Sequence, residues 1–83
     1  MQILYFAWVR EKIGRAGEEL ALPADVTDVG GLMRHLSTLS PGHAAAFANP
    51  TAIRAAINQD FAGLADPVAE RDEVAFFPPV TGG

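Results

Sequence analysis

The residues best suited to covalent chemistry in this sequence are Gly82 and Gly83, at its C-terminal end. Neither glycine has a Cβ, so a narrow channel in another protein could admit this end of the chain and reach the Gly83 α-carboxylate. A fold does not require such an ending, because free termini are usually frayed and polar. We therefore predict that Gly83 is the reactive residue, at the end of a tail formed by Pro78, Pro79, Val80, Thr81, Gly82 and Gly83.

Side-chain chemistry is sparse in the rest of the sequence. The chain has no cysteine, which excludes disulfides, a thiolate nucleophile and a zinc–thiolate site. His35 on a predicted helix and His43 in a predicted loop have no second ligand at a useful spacing, so we predict no metal site. No nucleophile–base pair, carboxylate dyad or phosphate-binding glycine loop stands out. Any covalent sulfur chemistry must use a group other than a cysteine side chain, and we expect no active site in this chain alone.

Composition restricts the class of protein. With 83 residues the chain forms one small domain, and 49% hydrophobic with 19% charged residues is typical of a globular fold. A formal charge of −4 disfavours nucleic acid as a partner, because phosphate binding needs a basic surface. No apolar run reaches the roughly 18 residues that cross a bilayer. The segment Met1–Phe6 lacks the basic start of a signal peptide, so we expect no membrane association and a cytoplasmic location.

The first half of the chain predicts a hairpin followed by a helix. Apolar residues run almost continuously over 2–9, which predicts a central strand or a covered edge strand, and a second strand is predicted at 18–22. A helical turn closed by a glycine lies between them, over 10–14. Thr27 is a suitable N-cap for the one long helix, which ends at 40–42. Its apolar stripe has the spacing of a buried helix face: Val29, Leu32, Met33, Leu36 and Leu39.

The second half of the chain predicts three more strands. A short helical turn or loop over 43–49 leads to a strand at 52–57, a polar turn at 58–60 and a short strand at 61–64. The last strand covers 73–77 and ends at the paired prolines, because proline cannot donate to a strand ladder. The order of elements is therefore β-β-α-β-β-β.

This order is typical of one α+β architecture. It predicts a mixed sheet of about five strands with one main helix packed across one face, which is the β-grasp or ubiquitin-like fold. The first and last strands are both rich in apolar residues, so we place them side by side and parallel at the centre of the sheet. The predicted division is a β-grasp domain, residues 1–77, and a protruding tail, residues 78–83.

Several motifs resemble those of the small, sulfur-carrying subunit of molybdopterin synthase. The most specific is the stretch 72–83, which reads Asp-Glu-Val-Ala-Phe-Phe-Pro-Pro-Val-Thr-Gly-Gly. The motif Phe-Ala-x-Val-Arg-Glu over 6–11, followed by Gly14, is similar to the first strand and turn of that family, and Ile-Asn-Gln over 57–59 to a later turn. The resemblance spans residues 3–83 and is weakest over about 39–52. Glu70-Arg71 departs from it, because the family often has a glycine before the acidic pair.

The resemblance implies a sulfur carrier that does no catalysis by itself. An E1-like adenylyltransferase would use ATP to convert the Gly83 carboxylate to an acyl-adenylate, and sulfur would replace AMP to leave a thiocarboxylate. The large subunit of the synthase would bind this tail, supply the catalytic residues and pass the sulfur to cyclic pyranopterin monophosphate, forming the dithiolene of molybdopterin. Two small and two large subunits would form a heterotetramer. The chain itself would bind no cofactor.

The tail is suited to that chemistry. A bulky terminal side chain would obstruct approach to the α-phosphate of ATP, and glycine at position 83 removes the obstruction. A thiocarboxylate is anionic at neutral pH and is a good sulfur nucleophile, for the reason that a thiolate is. Residues 78–83 reach roughly 20 Å when extended, enough to enter a neighbouring subunit, and Pro78 and Pro79 stiffen the base of the tail.

Phe6, Phe61 and Phe77 are predicted to form a hydrophobic docking surface. Any one apolar residue usually belongs to the core. A sheet that is covered by a helix on one face leaves apolar residues on its other face unexplained, however, and the resemblance implies that these bind the partner. Trp8 fits either role. Arg10 with Glu11 is more typical of a solvated pair than of a recognition site.

Three other functions share these features. The chain could carry sulfur for another pathway, such as thiamine thiazole synthesis or tRNA thiolation, although such carriers usually lack the Phe-Phe-Pro-Pro stretch. It could be a ubiquitin-like modifier that is conjugated to lysines through Gly83. It could also be an interaction module with an incidental tail, in which case deletion of Gly83 would leave its function intact.

Overall fold

The computed structural model describes residues 1–79, so the predictions that concern Val80, Thr81, Gly82 and Gly83 lie outside the described residues. No helix in the described part is long and apolar enough to cross a membrane. In chain order the elements are β1 (Gln2–Tyr5), α1 (Ala7–Ile13), β2 (Gly17–Glu19), α2 (Val29–Leu36), α3 (Pro41–Ala46), a 3₁₀ turn (Pro50–Ala52), β3 (Arg54–Ile57), β4 (Asp60–Ala62) and β5 (Glu73–Phe77).

The strands form one mixed sheet in the order β2-β1-β5-β3-β4. The central pair, β1 and β5, runs parallel, with Ile3 opposite Val74 and Tyr5 opposite Phe76. β2 and β3 flank this pair in antiparallel orientation, and β4 pairs with β3 at one edge. The predicted α+β sheet of about five strands, with its first and last strands parallel at the centre, is therefore confirmed.

One face of the sheet is buried beneath helices. Successive side chains of a strand point to opposite faces, and alternate residues of the two central strands have lost almost all contact with water. These inward residues are each 1% exposed or less: Ile3, Tyr5, Val74 and Phe76. They form the core together with side chains from α1, α2, α3 and β3.

Helix α2 is the main helix over this core. Its N-cap is Asp28, whose carboxylate accepts a hydrogen bond from the Gly31 backbone N–H at 2.7 Å. The prediction of Thr27 as the cap is wrong by one residue, because both residue types cap well and the pattern does not distinguish them. Leu39 was predicted to continue the apolar stripe but is 43% exposed, since α2 ends at Leu36. The buried stripe consists of Val29, Leu32, Met33 and Leu36.

The predicted first strand, residues 2–9, is too long. β1 ends at Tyr5, and Ala7 has a φ of +52°, which turns the chain out of the sheet and into α1. Val9 is buried as a helix residue rather than as a strand residue. A run that is apolar on both faces has neither the period of a strand nor that of a helix, so the sequence alone does not locate this boundary.

Strands β2 and β4 end earlier than predicted. The Leu22 N–H bonds the Glu70 carboxylate at 2.6 Å rather than a neighbouring strand. The Gly63 N–H likewise bonds the Asp66 carboxylate, also at 2.6 Å. These two N–H groups therefore lie in loops that side-chain bonds hold in place, outside the ladders of β2 and β4. The last strand, β5, has the predicted bounds.

The segment between α2 and β3 is more helical than predicted. Ser40 begins a helix rather than ending one, because its hydroxyl accepts the backbone N–H of His43 and caps α3. Pro50 then starts the 3₁₀ turn, so β3 begins at Arg54 rather than at Ala52.

A two-residue turn, Asn58-Gln59, joins β3 and β4. Both residues have positive φ, 50° and 74°, which fits the type I′ turn that matches the twist of a hairpin. The Asn58 side chain also contacts the start of β5, donating to the Asp72 carboxylate at 3.0 Å and accepting the Glu73 N–H at 3.0 Å. The predicted hairpin is present, and Asp60 belongs to β4 rather than to the turn.

Candidate docking face and carrier tail

The second face of the sheet is open in the described part of the chain. It carries the strand residues that alternate with the buried set, and none of these belongs to the core. The pairing of the strands places four apolar side chains in one row across it: Leu4, Ala75, Ala56 and Phe61. An apolar row on an uncovered face is typical of a surface that binds another protein.

The three predicted docking phenylalanines lie at one end of this open face. Phe61 is 82% exposed, and its ring centroid lies 6.0 Å from that of the half-buried Phe77. Phe6 is 49% exposed and follows β1, where its N–H bonds the Phe76 carbonyl at 3.1 Å and holds it beside the end of β5. The structure thus brings Phe61 and Phe77 together and places Phe6 at the same end of the sheet. Their role in docking stays a prediction.

A cleft of about 330 Å³ opens beside the aromatic pair. Arg54 lies directly opposite Phe77 in the pairing of β3 with β5, and its side chain is exposed. We did not identify Arg54 from the sequence, because its position beside the tail depends on the pairing of two distant strands. The residues that line the cleft are Arg54, Ala55, Phe61, Ala62 and Phe77.

The tail begins where β5 ends, at this same end of the open face. The strand ends at Phe77, and Pro78 and Pro79, both half-buried, follow it directly. The base of the tail therefore lies next to the aromatic pair and the cleft. A protein that bound the open face beside Phe77 would therefore also meet Pro78 and Pro79.

A partly buried polar cluster ties α3 to the edge strand β2. The Tyr5 hydroxyl donates to Glu18 Oε2 at 2.7 Å, and His43 Nε2 lies 2.7 Å from the same oxygen. Ser40 Oγ lies 2.7 Å from His43 Nδ1. Arg15 Nη1 lies 3.3 Å from Glu18 Oε1. One carboxylate therefore joins residues from β1, β2 and α3.

The cluster moves two pKa values in opposite directions. Burial would raise the pKa of Glu18, but hydrogen bonds with His43 and Tyr5, and attraction to His43 and Arg15, outweigh it, so this pKa lies below its ordinary 4.5. Burial, the hydrogen bond to Glu18 and the Glu18 charge raise the pKa of Tyr5 far above its ordinary value. At neutral pH the pair is therefore a phenol that donates to a carboxylate, a charge-assisted hydrogen bond.

Ser40, His43 and Glu18 have the residue types of a catalytic triad, but their geometry is that of a helix cap. The Ser40 hydroxyl is occupied by the backbone N–H and the ring of His43. None of the three residues lines the cleft beside Phe77 or the larger cleft beside α2. Of the helical turn or loop predicted over 43–49, the structure shows the helical alternative for His43, which is buried in α3. The sequence feature that indicates this helix is the Ser-x-x-His spacing, which is the spacing between an N-cap and the third residue of the helix that it caps.

The remaining residues considered from the sequence lie apart from the open face or in solvent. Trp8 is half-buried and packs against the core from α1. Arg10 and Glu11 are exposed on the same helix, and His35 is half-buried on α2. Among residues 1–79, no three His, Asp or Glu side chains gather into a group that could bind a metal.

Comparison with known proteins decides the family. The family model described as the ThiS family matches residues 3–83. The chain belongs to the ThiS family. This ThiS-family chain is also 41% identical over 83 residues to the molybdopterin synthase sulfur carrier subunit of Escherichia coli (strain K12), with 100% of the chain and 99% of that protein covered. The proteins of the same name from Haemophilus influenzae and Mycobacterium tuberculosis are 36% and 34% identical, with 99% and 96% of their lengths covered.

Solved structures agree with the fold of this ThiS-family chain. The crystal structure of SAMP1 from Haloferax volcanii matches with a TM-score of 0.71 at 28% identity, covering 100% of this chain and 98% of that one. A crystal structure of H. volcanii small archaeal modifier protein 1 matches with a TM-score of 0.73 at 27% identity, covering 96% and 97%. The β-grasp fold and the resemblance to sulfur-carrier subunits are both confirmed.

Proposed function

We propose that this chain is the sulfur-carrier subunit of a molybdopterin synthase. The observation that supports this most directly is the 41% identity to a protein of that name, which covers the whole chain and therefore includes the tail. The structure supports it independently, because β5 places the base of the tail beside an open apolar face. We further propose a cytoplasmic location and a heterotetramer of two small and two large subunits.

The first step of the proposed cycle is activation of the Gly83 carboxylate. An E1-like adenylyltransferase binds ATP, and a carboxylate oxygen attacks the α-phosphate, so that pyrophosphate leaves and an acyl-adenylate forms. Glycine at positions 82 and 83 lets the chain approach the nucleotide without a side chain in the way. The carrier supplies only the carboxylate in this step, and the partner supplies the nucleotide site.

The second step replaces AMP with sulfur from a donor. The product is a thiocarboxylate at Gly83, which carries the reactive sulfur on the main chain and so needs no cysteine. The large subunit then binds the tail, and the sulfur passes to cyclic pyranopterin monophosphate to build the dithiolene. A tail that extends roughly 20 Å from Phe77 reaches into the partner while the domain stays at the surface.

The open face is the proposed docking surface for the large subunit. Phe61 and Phe77 would lose most of their remaining exposure on docking, and each large aromatic side chain supplies extensive apolar area to such an interface. Pro78 and Pro79 restrict the tail before it binds, which lowers the entropy lost when it enters the channel.

Reconstitution tests this proposal. The thiocarboxylated chain, the purified large subunit and cyclic pyranopterin monophosphate should together form molybdopterin, and the same chain without Gly83 should form none. If the complete chain forms no molybdopterin with a large subunit that is active with its own carrier, the proposal is wrong. That result would favour a carrier for another thiolation pathway.

A second candidate is a ubiquitin-like modifier. It is favoured by the likeness to small archaeal modifier protein 1, at 27% identity over 96% of this chain. A modifier would form an isopeptide bond between Gly83 and lysine side chains of other proteins. After digestion with trypsin, mass spectrometry of cell extracts would detect lysines that carry residues 72–83 of this chain as a branch, since Arg71 is its last trypsin site, and a carrier alone would leave none.

A further inference from the structure

Arg54 is a cation placed within the apolar open face, at the base of the tail. It lies opposite Phe77 in the β3–β5 pairing and lines the cleft together with Phe61. β5 ends at Phe77, so Arg54 is paired with the residue after which the tail leaves the domain. A partner that covers the two phenylalanines must also cover Arg54.

The guanidinium of Arg54 is only partly satisfied within residues 1–79. Its Nη1 donates to the carbonyls of Thr51 at 2.9 Å and Ile53 at 3.3 Å, which holds the side chain in place. The ion pairs within the described part of the chain involve other residues, so no described carboxylate neutralises it. Arginine has five N–H donors, and those on Nε and Nη2 make no hydrogen bond within residues 1–79.

Docking would remove water from this cation. A guanidinium that is buried against aromatic rings without an anionic partner is strongly destabilising, whereas a carboxylate can pair with it through two parallel hydrogen bonds. The chain as a whole has a net charge of −4, so it would repel an acidic partner overall. Long-range attraction therefore cannot bring a carboxylate to Arg54. The pairing must come from a group placed opposite Arg54.

We propose that Arg54 is a specificity-determining residue, which pairs with an Asp or Glu side chain that the large subunit presents at the mouth of its tail channel. This inference rests on the proposed function and identifies the chemistry of the partner surface: an apolar patch with one carboxylate beside it. The phosphate of the acyl-adenylate is a poor alternative ligand, because a fully extended tail of six residues would hold Gly83 roughly 20 Å from Phe77.

Binding measurements on Arg54 variants test the inference. Arg54→Gln removes the charge, and Arg54→Glu reverses it; both should weaken binding to the large subunit, by about tenfold or more for Arg54→Gln and further for Arg54→Glu. Arg54→Lys keeps the charge but loses the planar pair of donors, so its affinity should lie between those of the unchanged chain and Arg54→Gln. Isothermal titration calorimetry at low and high salt gives the dissociation constants, and the loss caused by Arg54→Gln should be smaller at high salt.

The matched control is Arg34→Gln, which makes the same change of charge at an exposed arginine on α2. It should leave the affinity unchanged, and thermal unfolding should show that every variant is folded. Equal affinities of the unchanged chain and Arg54→Gln would overturn the inference while leaving the proposed function intact. A loss of binding to the adenylyltransferase but not to the large subunit would also overturn it. Failure of the unchanged chain to bind the large subunit would instead contradict the proposed function.

Discussion

Phe61 is the most exposed large apolar side chain in the described part of the chain, at 82%. Its ring lies against Phe77 rather than against the core, so it contributes little to the stability of the domain. Interface energy is usually concentrated in a few aromatic residues near the centre of the contact. The inward residues of the sheet therefore stabilise the fold, whereas the outward residue Phe61 is available to bind a partner.

Replacement of Phe61 by alanine should affect docking far more than folding. We expect Phe61→Ala to change the free energy of unfolding by no more than about 0.5 kcal/mol, because the side chain is exposed. We expect it to weaken binding to the large subunit by about thirtyfold, the effect of losing an interface residue worth about 2 kcal/mol. Urea unfolding and calorimetry measure the two quantities.

The control for this variant is Leu39→Ala, which removes another exposed apolar side chain, 43% exposed and just beyond α2. It should leave both stability and binding nearly unchanged. Equal losses of affinity in the two variants would show that the open face is not the docking surface.

Tyr5 should stabilise the fold through its bond to Glu18, and the effect should depend on pH. Tyr5→Phe keeps the buried ring and removes the hydroxyl, so we expect the free energy of unfolding at neutral pH to fall by about 1 to 2 kcal/mol. The pKa of Glu18 is lowered in the fold, so its contribution is present above the unfolded value of 4.5 and is lost as the pH falls through the folded value. The difference between Tyr5→Phe and the unchanged chain should therefore narrow in acid.

Urea unfolding at a series of pH values from neutral into acid measures this difference. Glu18→Gln is the control, because the Tyr5→Phe effect in that background should be the same across the series. A Tyr5→Phe effect that is equally large in acid for the unchanged Glu18 would mean that the contribution of the Tyr5 hydroxyl does not depend on the charge of Glu18.

At the scale of elements, the turn between β3 and β4 contains a strained backbone conformation that a substitution can relieve. Gln59 has a φ of +74°, a conformation that glycine adopts readily and that other residues adopt at a cost. We expect Gln59→Gly to raise the free energy of unfolding by about 0.5 to 1 kcal/mol, since Asn-Gly is the preferred pair for a type I′ turn. Thermal and urea unfolding measure the change.

The neighbouring residue provides the matched control. Asn58→Gly relieves the same kind of backbone conformation, but it also removes the bonds from the Asn58 side chain to Asp72 and Glu73. We expect this variant to be less stable than the unchanged chain by about 1 kcal/mol. If both glycine variants are stabilised, the side-chain bonds contribute nothing to the hairpin.

Some secondary-structure elements could be predicted from the sequence, and others could not. The stripe of α2 and the bounds of β5 follow from local patterns: a spacing of three and four residues in one case, an apolar run closed by two prolines in the other. The end of β1 does not, because apolar residues continue into α1 through Ala7. Arg54 and the Glu18–His43 contact were also missed, since both depend on residues brought together by the fold.

At the scale of the whole molecule, the covered face of the sheet and the open face have separate tasks. The covered face holds the core and the polar cluster around Glu18, while the open face holds Phe61, Phe77 and Arg54 beside the base of the tail. The reactive group that we propose, the Gly83 carboxylate, lies outside the described residues. Deletion of Gly83 should therefore abolish sulfur transfer and leave thermal unfolding and docking to the large subunit nearly unchanged.

The most direct test of the central claim is the intact mass of the chain after incubation with its adenylyltransferase, ATP and a sulfur donor. The account predicts that one oxygen of the Gly83 carboxylate is replaced by sulfur, and that the chain without Gly83, treated in the same way, keeps its mass. An unchanged mass of the complete chain, with an adenylyltransferase shown to be active on another carrier, would contradict the claim that this protein carries sulfur at its C terminus.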